Sequence, residues 1–306
     1  MSFPDAVVIE EQGLRDGLQS EPTLVPTERK LHLIEELIQA GVRRIQVTSF
    51  VHPKLVPQMA DAEDLCAALQ PRPGVLYTGL VLNTKGMERA AAVGLDHVSV
   101  SLSASETHSR NNARLSLREA RDQFRAMVRF AKSHGLTVRG GVQCAFGCRF
   151  EGAVPMALVL DLVKEQLDQQ VDEIALADST GMGHPGAIQE LCGRVLELAG
   201  ERPLFLHLHD TEGKGLANVL AALNVGVRYF DAAFGGLGGC PFIKGASGNI
   251  ATEDLLWMLR QMGIRTGIDV ARIAALSRSL EAFLGRIFPG KMHRLLERRD
   301  IQLVGA

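Results

Sequence analysis

The chain has 306 residues, of which 46% are hydrophobic and 22% are charged, with a formal net charge of −2. This is the balance of an ordinary globular protein, and the lack of a dense lysine and arginine block argues against nucleic-acid or membrane-surface partners. No run approaches the roughly 18 apolar residues that a transmembrane helix needs, so none is expected.

The cysteines indicate a reducing compartment. They are odd in number and scattered along the chain, which is typical of free thiols. The first strand-like run starts at residue 7 and leaves no room for a signal or transit peptide. We therefore expect a cytoplasmic protein. Two of the thiols are three residues apart without a second pair at zinc spacing, so we interpret them as structural; the five cysteines are Cys66, Cys144, Cys148, Cys192 and Cys240.

Strand-like and helix-like segments alternate through most of the chain. Helix patterns include residues 28–40, with Thr27 as the expected N-cap, and residues 116–134 and 155–169. Glycines at positions 41, 94, 135 and 226 stand where helices are expected to end. The strand-like runs are residues 7–12, 45–50, 75–80, 97–102, 137–145, 173–178, 204–210 and 229–235.

Eight successive strand–helix units predict a parallel sheet, and eight is the number of strands that closes a barrel. The expected fold is therefore an α/β protein, a (β/α)8 TIM barrel, with an open doubly wound sheet as the alternative. We expect one domain over residues 1–306. From about residue 268, further helix-like segments such as 271–284 form a C-terminal extension that caps the barrel or packs against a partner subunit.

In such a barrel, catalytic groups come from the ends of the strands and from the loops that follow them. The first strand is followed by Arg15 and Asp16, which elsewhere would suggest a surface ion pair. The seventh strand carries His207 and His209, whose spacing puts both side chains on one side. A shared metal ion would keep both imidazoles neutral and satisfied; the alternative is a hydrogen-bonded pair of core histidines.

A glycine-rich segment at residues 235–249 follows the last strand, and it predicts either a loop that closes over substrate or a flexible linker. Within it, Asn249 offers an amide oxygen to a hard cation, and Cys240 is either an acid or base or an inert buried thiol. Asp16, His207, His209 and Asn249 together give two oxygens and two nitrogens. This set suits Mg²⁺ or Mn²⁺, with Zn²⁺ or Co²⁺ possible.

The motifs resemble those of the 3-hydroxy-3-methylglutaryl-CoA lyase family, in the metal-dependent barrel group marked by an Arg-Asp-Gly loop. The resemblance covers the chain from Arg15 to about Thr266. It rests on Arg-Asp-Gly-Leu-Gln at 15–19, Thr-Ser-Phe-Val at 48–51, Pro-Gln-Met-Ala-Asp at 57–61, Ala-Asp-Ser-Thr-Gly at 177–181, His-Leu-His-Asp-Thr at 207–211, Gly-Leu-Gly-Gly-Cys-Pro at 236–241, Gly-Ala-Ser-Gly-Asn at 245–249 and Ala-Thr-Glu-Asp at 251–254.

The resemblance implies a metal-dependent lyase that cuts a branched 3-hydroxyacyl-CoA, namely hydroxymethylglutaryl-CoA, into acetyl-CoA and acetoacetate, as in leucine catabolism. It implies that Arg15 stabilises an enolate, that Cys240 shuttles a proton and that Asp178 is a further acidic site position. Substrate-binding positions would be Arg15, Gln19, Gln46 and His108. The implied metal ligands are Asp16, His207, His209 and Asn249. The expected partners are an acyl-CoA substrate and a second copy in a homodimer.

Three positions depart from the lyase pattern. Gln46 replaces a glutamate and cannot ionise to act as a base or to offset the charge of Arg15. His108 is typical of condensing members of the wider group, and Pro22 stands where lyases often have lysine. These differences leave open a sister acyl-CoA lyase acting on citramalyl-CoA or a similar substrate, a Claisen-condensing acyltransferase, and a catalytically silent acyl-CoA-binding barrel.

Overall fold

The computed structural model describes residues 3–239 and 248–296. Each strand in this part pairs in parallel with the next, and the eighth pairs with the first, so the sheet is closed. The predicted (β/α)8 TIM barrel is confirmed, and the open doubly wound sheet is wrong. The strands are β1 (Val8–Glu11), β2 (Arg44–Ser49), β3 (Leu76–Val81), β4 (His97–Ser103), β5 (Thr137–Gln143), β6 (Glu173–Asp178), β7 (Leu204–Leu208) and β8 (Tyr229–Ala232).

Helices follow every strand, and their buried faces cover the outside of the barrel. No helix in the described ranges has both the length and the apolar character needed to cross a bilayer. The helices are α1 (Thr27–Gln39), α2 (Ala62–Ala68), α3 (Thr84–Ala92), α4 (Glu106–Ala113), α5 (Leu117–Ser133), α6 (Met156–Asp168), α7 (Pro185–Ala199), α8 (Gly215–Asn224), α9 (Thr252–Gln261), α10 (Val270–Leu284) and α11 (Met292–Leu295).

Helix α5 illustrates how sequence produces these elements. Ser116 caps its first turn by accepting a hydrogen bond from the backbone of Glu119, whose side chain accepts one from the Ser116 backbone in return. Such a capping box satisfies two backbone donors that the first turn leaves without helical partners. Residues at helical spacing then face the sheet and are buried: Ala120, Phe124, Met127, Val128 and Ala131.

The expected cap of α1 is wrong. Thr27 is the first helical residue, and Pro26 occupies the N-cap position without a side-chain hydrogen bond. The Thr27 hydroxyl instead donates to Asp61 Oδ2 at 2.8 Å. The hydroxyl therefore ties α1 to the start of α2 rather than to its own first turn, a tertiary contact that local sequence does not show.

Strands β7 and β8 end earlier than expected. Residues 204–210 were the predicted seventh strand, but the strand ends at Leu208, and His209 instead forms an antiparallel bridge with Asn249. The eighth strand ends at Ala232, after which Ala233 bridges Ala251. The returning chain at 249–251 occupies the pairing positions beyond both strands and thereby reaches the mouth of the barrel.

The barrel interior contains a cluster of buried charges centred on Arg139 of β5. Arg139 donates to Glu10 Oε2 at 2.5 Å, to Glu173 Oε2 at 3.1 Å and to Asp231 Oδ1 at 3.1 Å. Burial by itself would lower the pKa of Arg139, but the three carboxylates raise it above its usual range. Because each charge is paired, the cluster avoids the several kcal/mol that an unpaired buried ion costs.

The C-terminal helices expected after about residue 268 are present as α10 and α11. The chain entering α10 is anchored where the Asp269 amide donates to the carbonyl of Ala40 at 2.7 Å. The Asp254 carboxylate accepts hydrogen bonds from the amides of Lys291 and Met292 at the start of α11. The extension therefore packs against both α1 and the start of α9.

Candidate metal centre and active site

A single turn of π-helix, Gly13–Gly17, follows β1 and places Arg15 and Asp16 at the carboxyl end of the barrel. The turn begins with a close approach, because a Cβ atom at Gly13 would stand 2.4 Å from the ring of Phe234. The Glu11 carboxylate also accepts a hydrogen bond of 2.7 Å from the Gly13 amide. These contacts with Phe234 and Glu11 fix the start of the turn. The side chains of Arg15 and Asp16 are both buried.

Asp16, His207 and His209 converge at this end of the barrel as the sequence predicted. The Nε2 atoms of the two histidines are 3.2 Å apart. Asp16 Oδ2 lies 3.9 Å from His207 Nε2 and 3.6 Å from His209 Nε2. One ligand atom from each residue thus lies within 4.8 Å of the others, which makes the group a candidate metal site.

Asn249 joins this cluster through its side chain. Its Nδ2 donates to Asp16 Oδ2 at 2.6 Å and to the Leu237 carbonyl at 2.9 Å. Its Oδ1 is buried and has no hydrogen-bond partner among the described residues. A buried amide oxygen without a partner costs free energy, so this atom is available to coordinate a cation or to accept a hydrogen bond.

Gly238 packs directly against two of these residues. A Cβ atom there would lie 2.6 Å from Asn249 Nδ2 and 2.9 Å from Asp16 Oδ2. The backbone φ of Gly238 is also +101°, a region that other residues rarely adopt. Glycine is therefore required at this position for Asp16 and Asn249 to meet.

The residues present fit a divalent cation. Two ligands at adjacent positions of an octahedral ion with bonds of about 2.1 Å stand roughly 3 Å apart, close to the observed spacing of the two histidine nitrogens. The carboxylate of Asp16 supplies an oxygen atom to this group, and Asn249, which is hydrogen-bonded to that carboxylate, has an amide oxygen without a partner among the described residues. Oxygen and imidazole donors are the ligands that Mg²⁺, Mn²⁺ and related ions accept.

Electrostatics keep Asp16 ionised. Burial would raise the pKa of this carboxyl, but the guanidinium of Arg15 and the neighbouring His209 and His207 lower it well below its usual range. Arg15 Nη1 lies 2.5 Å from Asp16 Oδ1. A carboxylate that stays charged in the interior of the protein is what a metal ligand requires.

Arg15 is held on three sides. In addition to Asp16, its Nη2 donates to Gln12 Oε1 at 3.0 Å and its Nε donates to Gln46 Oε1. Gln46 in turn donates to Ser99 Oγ at 3.1 Å. The register of β2 against β3 shifts immediately after Gln46, between Gln46 and Thr48.

A cavity of about 270 Å³ opens beside the candidate metal site. Its lining joins groups from strands that are distant in sequence, with an apolar side formed by residues such as Val51 and Val56. His108 also lines the cavity; its Nδ1 lies 3.1 Å from Ser103 Oγ, and burial lowers its pKa. The predicted site residues that line the cavity are Arg15, Asp16, Gln19, Gln46, His108, His207 and His209.

Asp178 is placed differently from these residues. In the part of the chain that the structure covers, the cavity lining includes its neighbours Ala177 and Ser179 but not Asp178 itself. Its Oδ2 accepts a hydrogen bond of 3.0 Å from the Gly183 amide. Burial raises the pKa of this carboxyl, while His209 and the Gly183 amide oppose the shift. The remaining predicted catalytic residue, Cys240, lies outside the described residues.

Asp231 and Arg139 also line the cavity, although no sequence motif indicated them. Asp231 Oδ2 lies 3.1 Å from His207 Nδ1, and its Oδ1 accepts from Arg139. Burial would raise the pKa of Asp231, but Arg139 and His207 lower it. A charged residue in the middle of an otherwise apolar barrel strand was the available signal, because such a residue faces the interior and needs a partner.

The fold and this site define an enzyme of the (β/α)8-barrel class with a candidate metal centre at the carboxyl ends of its strands. Comparison with known proteins narrows the class. The family model described as HMGL-like matches residues 6–280. The chain therefore belongs to the HMGL-like family, and the predicted resemblance is confirmed.

Individual relatives agree with this membership. The mitochondrial hydroxymethylglutaryl-CoA lyase of Mus musculus is 44% identical over 272 residues, which are 89% of this chain and 84% of the relative. The cytoplasmic 3-hydroxy-3-methylglutaryl-CoA lyase of Rattus norvegicus is 42% identical over 271 residues, covering 89% and 79%. The structure of an HMG-CoA lyase from Acinetobacter baumannii, in complex with coenzyme A and 3-methylmalate, superposes with a TM-score of 0.93 at 41% identity, covering 98% of both chains.

Proposed function

We propose that the protein cleaves 3-hydroxy-3-methylglutaryl-CoA into acetyl-CoA and acetoacetate. The observation that carries the proposal is the convergence of Asp16, His207 and His209 beside Arg15 at one cavity. The relatives described above are lyases of this substrate, and the Acinetobacter baumannii lyase holds coenzyme A. They favour this reaction over the sister acyl-CoA lyase, the condensing acyltransferase and the silent barrel.

The reaction is a retro-Claisen cleavage. A base removes the proton of the C3 hydroxyl, the bond between C2 and C3 breaks, and C3 becomes the ketone of acetoacetate. The electron pair of the broken bond passes to the thioester as the enolate of acetyl-CoA, which then gains a proton at C2. The protein must therefore favour loss of the hydroxyl proton, stabilise an enolate oxygen and supply a proton.

Arg15 is suited to stabilise the enolate oxygen. Each of its three nitrogens donates a hydrogen bond within the protein, to Gln46, Asp16 and Gln12. Those contacts hold the guanidinium rigid, and each terminal nitrogen keeps a second N–H that is not engaged by the described residues. A cation fixed in advance at the place where negative charge develops stabilises the transition state without reorganising.

Asp16, His207, His209 and Asn249 would hold the metal. A divalent cation bound there supplies Lewis acidity that lowers the pKa of the substrate hydroxyl. We propose Mg²⁺ or Mn²⁺, because the donor set is oxygen and imidazole without a thiolate in the described cluster, and Zn²⁺ or Co²⁺ is the alternative.

Proton transfer is assigned to Cys240 and Asp178. Cys240 follows Gly239, which lines the cavity, and we propose it as the donor to the enolate. Asp178 is fully buried between two cavity-lining residues and is proposed as a further acidic group. Gln19, Gln46 and His108 are proposed to contact the acyl-CoA, because all three line the cavity.

The wider setting is also a proposal. We propose a single folding unit over residues 1–306 that pairs as a homodimer, to be tested by one unfolding transition and by sedimentation velocity.

A cytoplasmic location is supported by free thiols at Cys66, Cys144, Cys148 and Cys192, although relatives are named for both mitochondria and cytoplasm. Imaging of a fluorescent fusion tests it. A role in leucine catabolism rests on the substrate assignment alone.

The decisive experiment is a product assay on purified protein. Protein stripped with EDTA is mixed with 3-hydroxy-3-methylglutaryl-CoA, with and without added Mg²⁺ or Mn²⁺, and acetoacetate and acetyl-CoA are quantified. We expect both products in equal amounts and only with the metal. Consumption of acetyl-CoA with a 2-oxo acid in place of cleavage, or no response to metal, would overturn the proposal. Citramalyl-CoA in a parallel reaction tests the sister substrate.

A further inference from the structure

The two nitrogens of His207 face different partners. Its Nε2 lies in the candidate metal site, 3.2 Å from Nε2 of His209. Its Nδ1 lies 3.1 Å from Oδ2 of Asp231, which is buried on the neighbouring strand β8. A neutral imidazole carries its proton on one nitrogen only, so the partner of Nδ1 determines whether Nε2 can bind a cation.

Asp231 is itself fixed by a second contact. Its other oxygen, Oδ1, accepts a hydrogen bond of 3.1 Å from Arg139 Nη1. Arg139 is held in turn by Glu10 and Glu173 and is almost fully buried. Neither the carboxylate nor the guanidinium can turn away without leaving a buried charge unpaired, so Asp231 presents Oδ2 to His207 in one orientation.

His209 has no comparable support. Its Nδ1 is buried without a hydrogen-bond partner in the ranges 3–239 and 248–296. Among the described residues, the Nδ1 atom of His207 therefore has a carboxylate partner, whereas the Nδ1 atom of His209 has none. The outer nitrogen of His207 is thus fixed by one contact between β7 and β8.

We propose that Asp231 is the positioning residue of the metal centre, which holds the proton of His207 on Nδ1 and leaves the Nε2 lone pair free for the cation. The proposal rests on the proposed function, because it assumes that His207 is a metal ligand. A carboxylate that accepts from the outer nitrogen of a ligating histidine fixes its tautomer and strengthens it as a ligand.

The substitution Asp231→Asn makes a sharp test. The new amide has one oxygen and one NH₂ where the carboxylate had two oxygens. Arg139 can only donate, so the amide oxygen must face Arg139 and the NH₂ must face His207. His207 Nδ1 then has to accept, which moves its proton to Nε2 and blocks the metal position. An Asp-to-Asn change beside the histidine of a serine protease produces the wrong tautomer in the same way.

The experiment uses the full chain labelled with ¹⁵N-histidine and stripped of metal. Two-bond ¹H–¹⁵N correlation spectra report which ring nitrogen is protonated, and His207→Gln identifies the His207 signals. We expect the proton on Nδ1 in the unsubstituted protein and on Nε2 in Asp231→Asn. Calorimetric titration with Mn²⁺ should show the dissociation constant raised by about 10- to 100-fold in the variant.

Glu173→Gln is the matched control. Glu173 also accepts from Arg139, through Nε, but does not touch His207. If Asp231 acted only by stabilising the charge cluster, both variants would weaken Mn²⁺ binding alike, and the proposal would be overturned. A His207 proton on Nε2 in the unsubstituted protein would overturn it even if Asp231→Asn failed to fold. Absence of Mn²⁺ binding by the unsubstituted protein would instead count against the proposed function, while the spectra still decide the role of Asp231.

Discussion

Asn249 Nδ2 donates a hydrogen bond of 2.6 Å to Asp16 Oδ2, although 233 residues separate the two in the chain. The bond sets the orientation of the Asn249 amide, because its NH₂ group must face the carboxylate. The amide oxygen, Oδ1, is then the atom of Asn249 that remains available to a cation. Two of the four candidate ligands therefore position each other, and a change that separates them should be felt as a loss of metal affinity.

Gly238→Ala should cause such a separation. The added methyl group would stand 2.6 Å from Asn249 Nδ2 and 2.9 Å from Asp16 Oδ2, so at least one of them must move. We expect the Mn²⁺ dissociation constant to rise by about 10- to 100-fold in calorimetric titration. Gly263→Ala is the control, because Gly263 also has a positive φ but its Cβ would meet nothing within 4 Å. Equal affinities for both variants would contradict the prediction.

His209→Ala should abolish turnover while the barrel remains folded. Removing one imidazole leaves too few ligands for a tightly held cation, whose electrostatic contribution to catalysis amounts to several kcal/mol. Cleavage of 3-hydroxy-3-methylglutaryl-CoA should fall at least about a thousandfold, with an unchanged circular dichroism spectrum. The exposed His32 in α1 provides a control, since His32→Ala should retain full activity. Undiminished turnover would remove His209 from the site.

Gln46→Glu should increase turnover of the same substrate. Gln46 accepts a hydrogen bond from Arg15 Nε, and a carboxylate in its place would accept a charge-assisted bond that holds the guanidinium more firmly. We expect kcat to rise about three- to tenfold. Gln46→Leu, which removes the acceptor at similar size, should lower it. A fall in kcat for Gln46→Glu would show that the neutral amide is the better partner for Arg15 in this protein.

Glu11 should make stability depend on pH. Burial raises its pKa from 4.5 to about 7, although hydrogen bonds from Thr252 and from the Phe234 and Gly13 amides oppose the shift. The folded state therefore binds this proton more tightly than the unfolded state. The resulting stabilisation is complete below pH 4.5 and is lost as the pH rises through about 7. The loss should be on the order of 3 kcal/mol in the free energy of unfolding.

Urea denaturation of metal-free protein at about pH 5 and pH 8 measures this loss. Glu11→Gln cannot ionise, so its free energy of unfolding should change less between the two conditions than that of the unsubstituted protein. Glu28→Gln, an exposed position in α1, should leave the difference unchanged. A pH dependence that is identical in all three proteins would exclude an unusual pKa at Glu11.

Local sequence rules predicted that Asp16, His207 and His209 lie close together at one end of the barrel, and the structure places them there. His207 lies in β7 and His209 one residue beyond its end, where the backbone is still bridged, so their common direction agrees with the period of a strand that the sequence predicts. Arg15 and Asp16 directly follow a strand, and in a barrel that position is the mouth. The resemblance to the lyase family was also predicted correctly, as the HMGL-like match over residues 6–280 confirms.

The contacts that sequence did not reveal are those between distant segments. The early end of β7 depends on pairing between His209 and Asn249, and Thr27 is drawn from its own helix by Asp61. Asp231 was missed because a single acidic residue in a strand does not indicate which distant residues it will contact. Only the assembled barrel brings it to His207 and Arg139.

The segment that precedes α11 also affects when the site can form. Phe288 stands where any side chain at Gly235 would have to be, and the amide of Gly290 donates to the Gly235 carbonyl at 2.9 Å. On the ribosome, residues 288–290 emerge only after all eight strands have been made. A nascent chain that has closed its barrel but lacks these residues lacks the Phe288 contact and the Gly290 hydrogen bond at the turn that leads to Gly238. The turn before Gly238, the glycine that packs against Asp16 and Asn249, should therefore gain its last contacts late in synthesis.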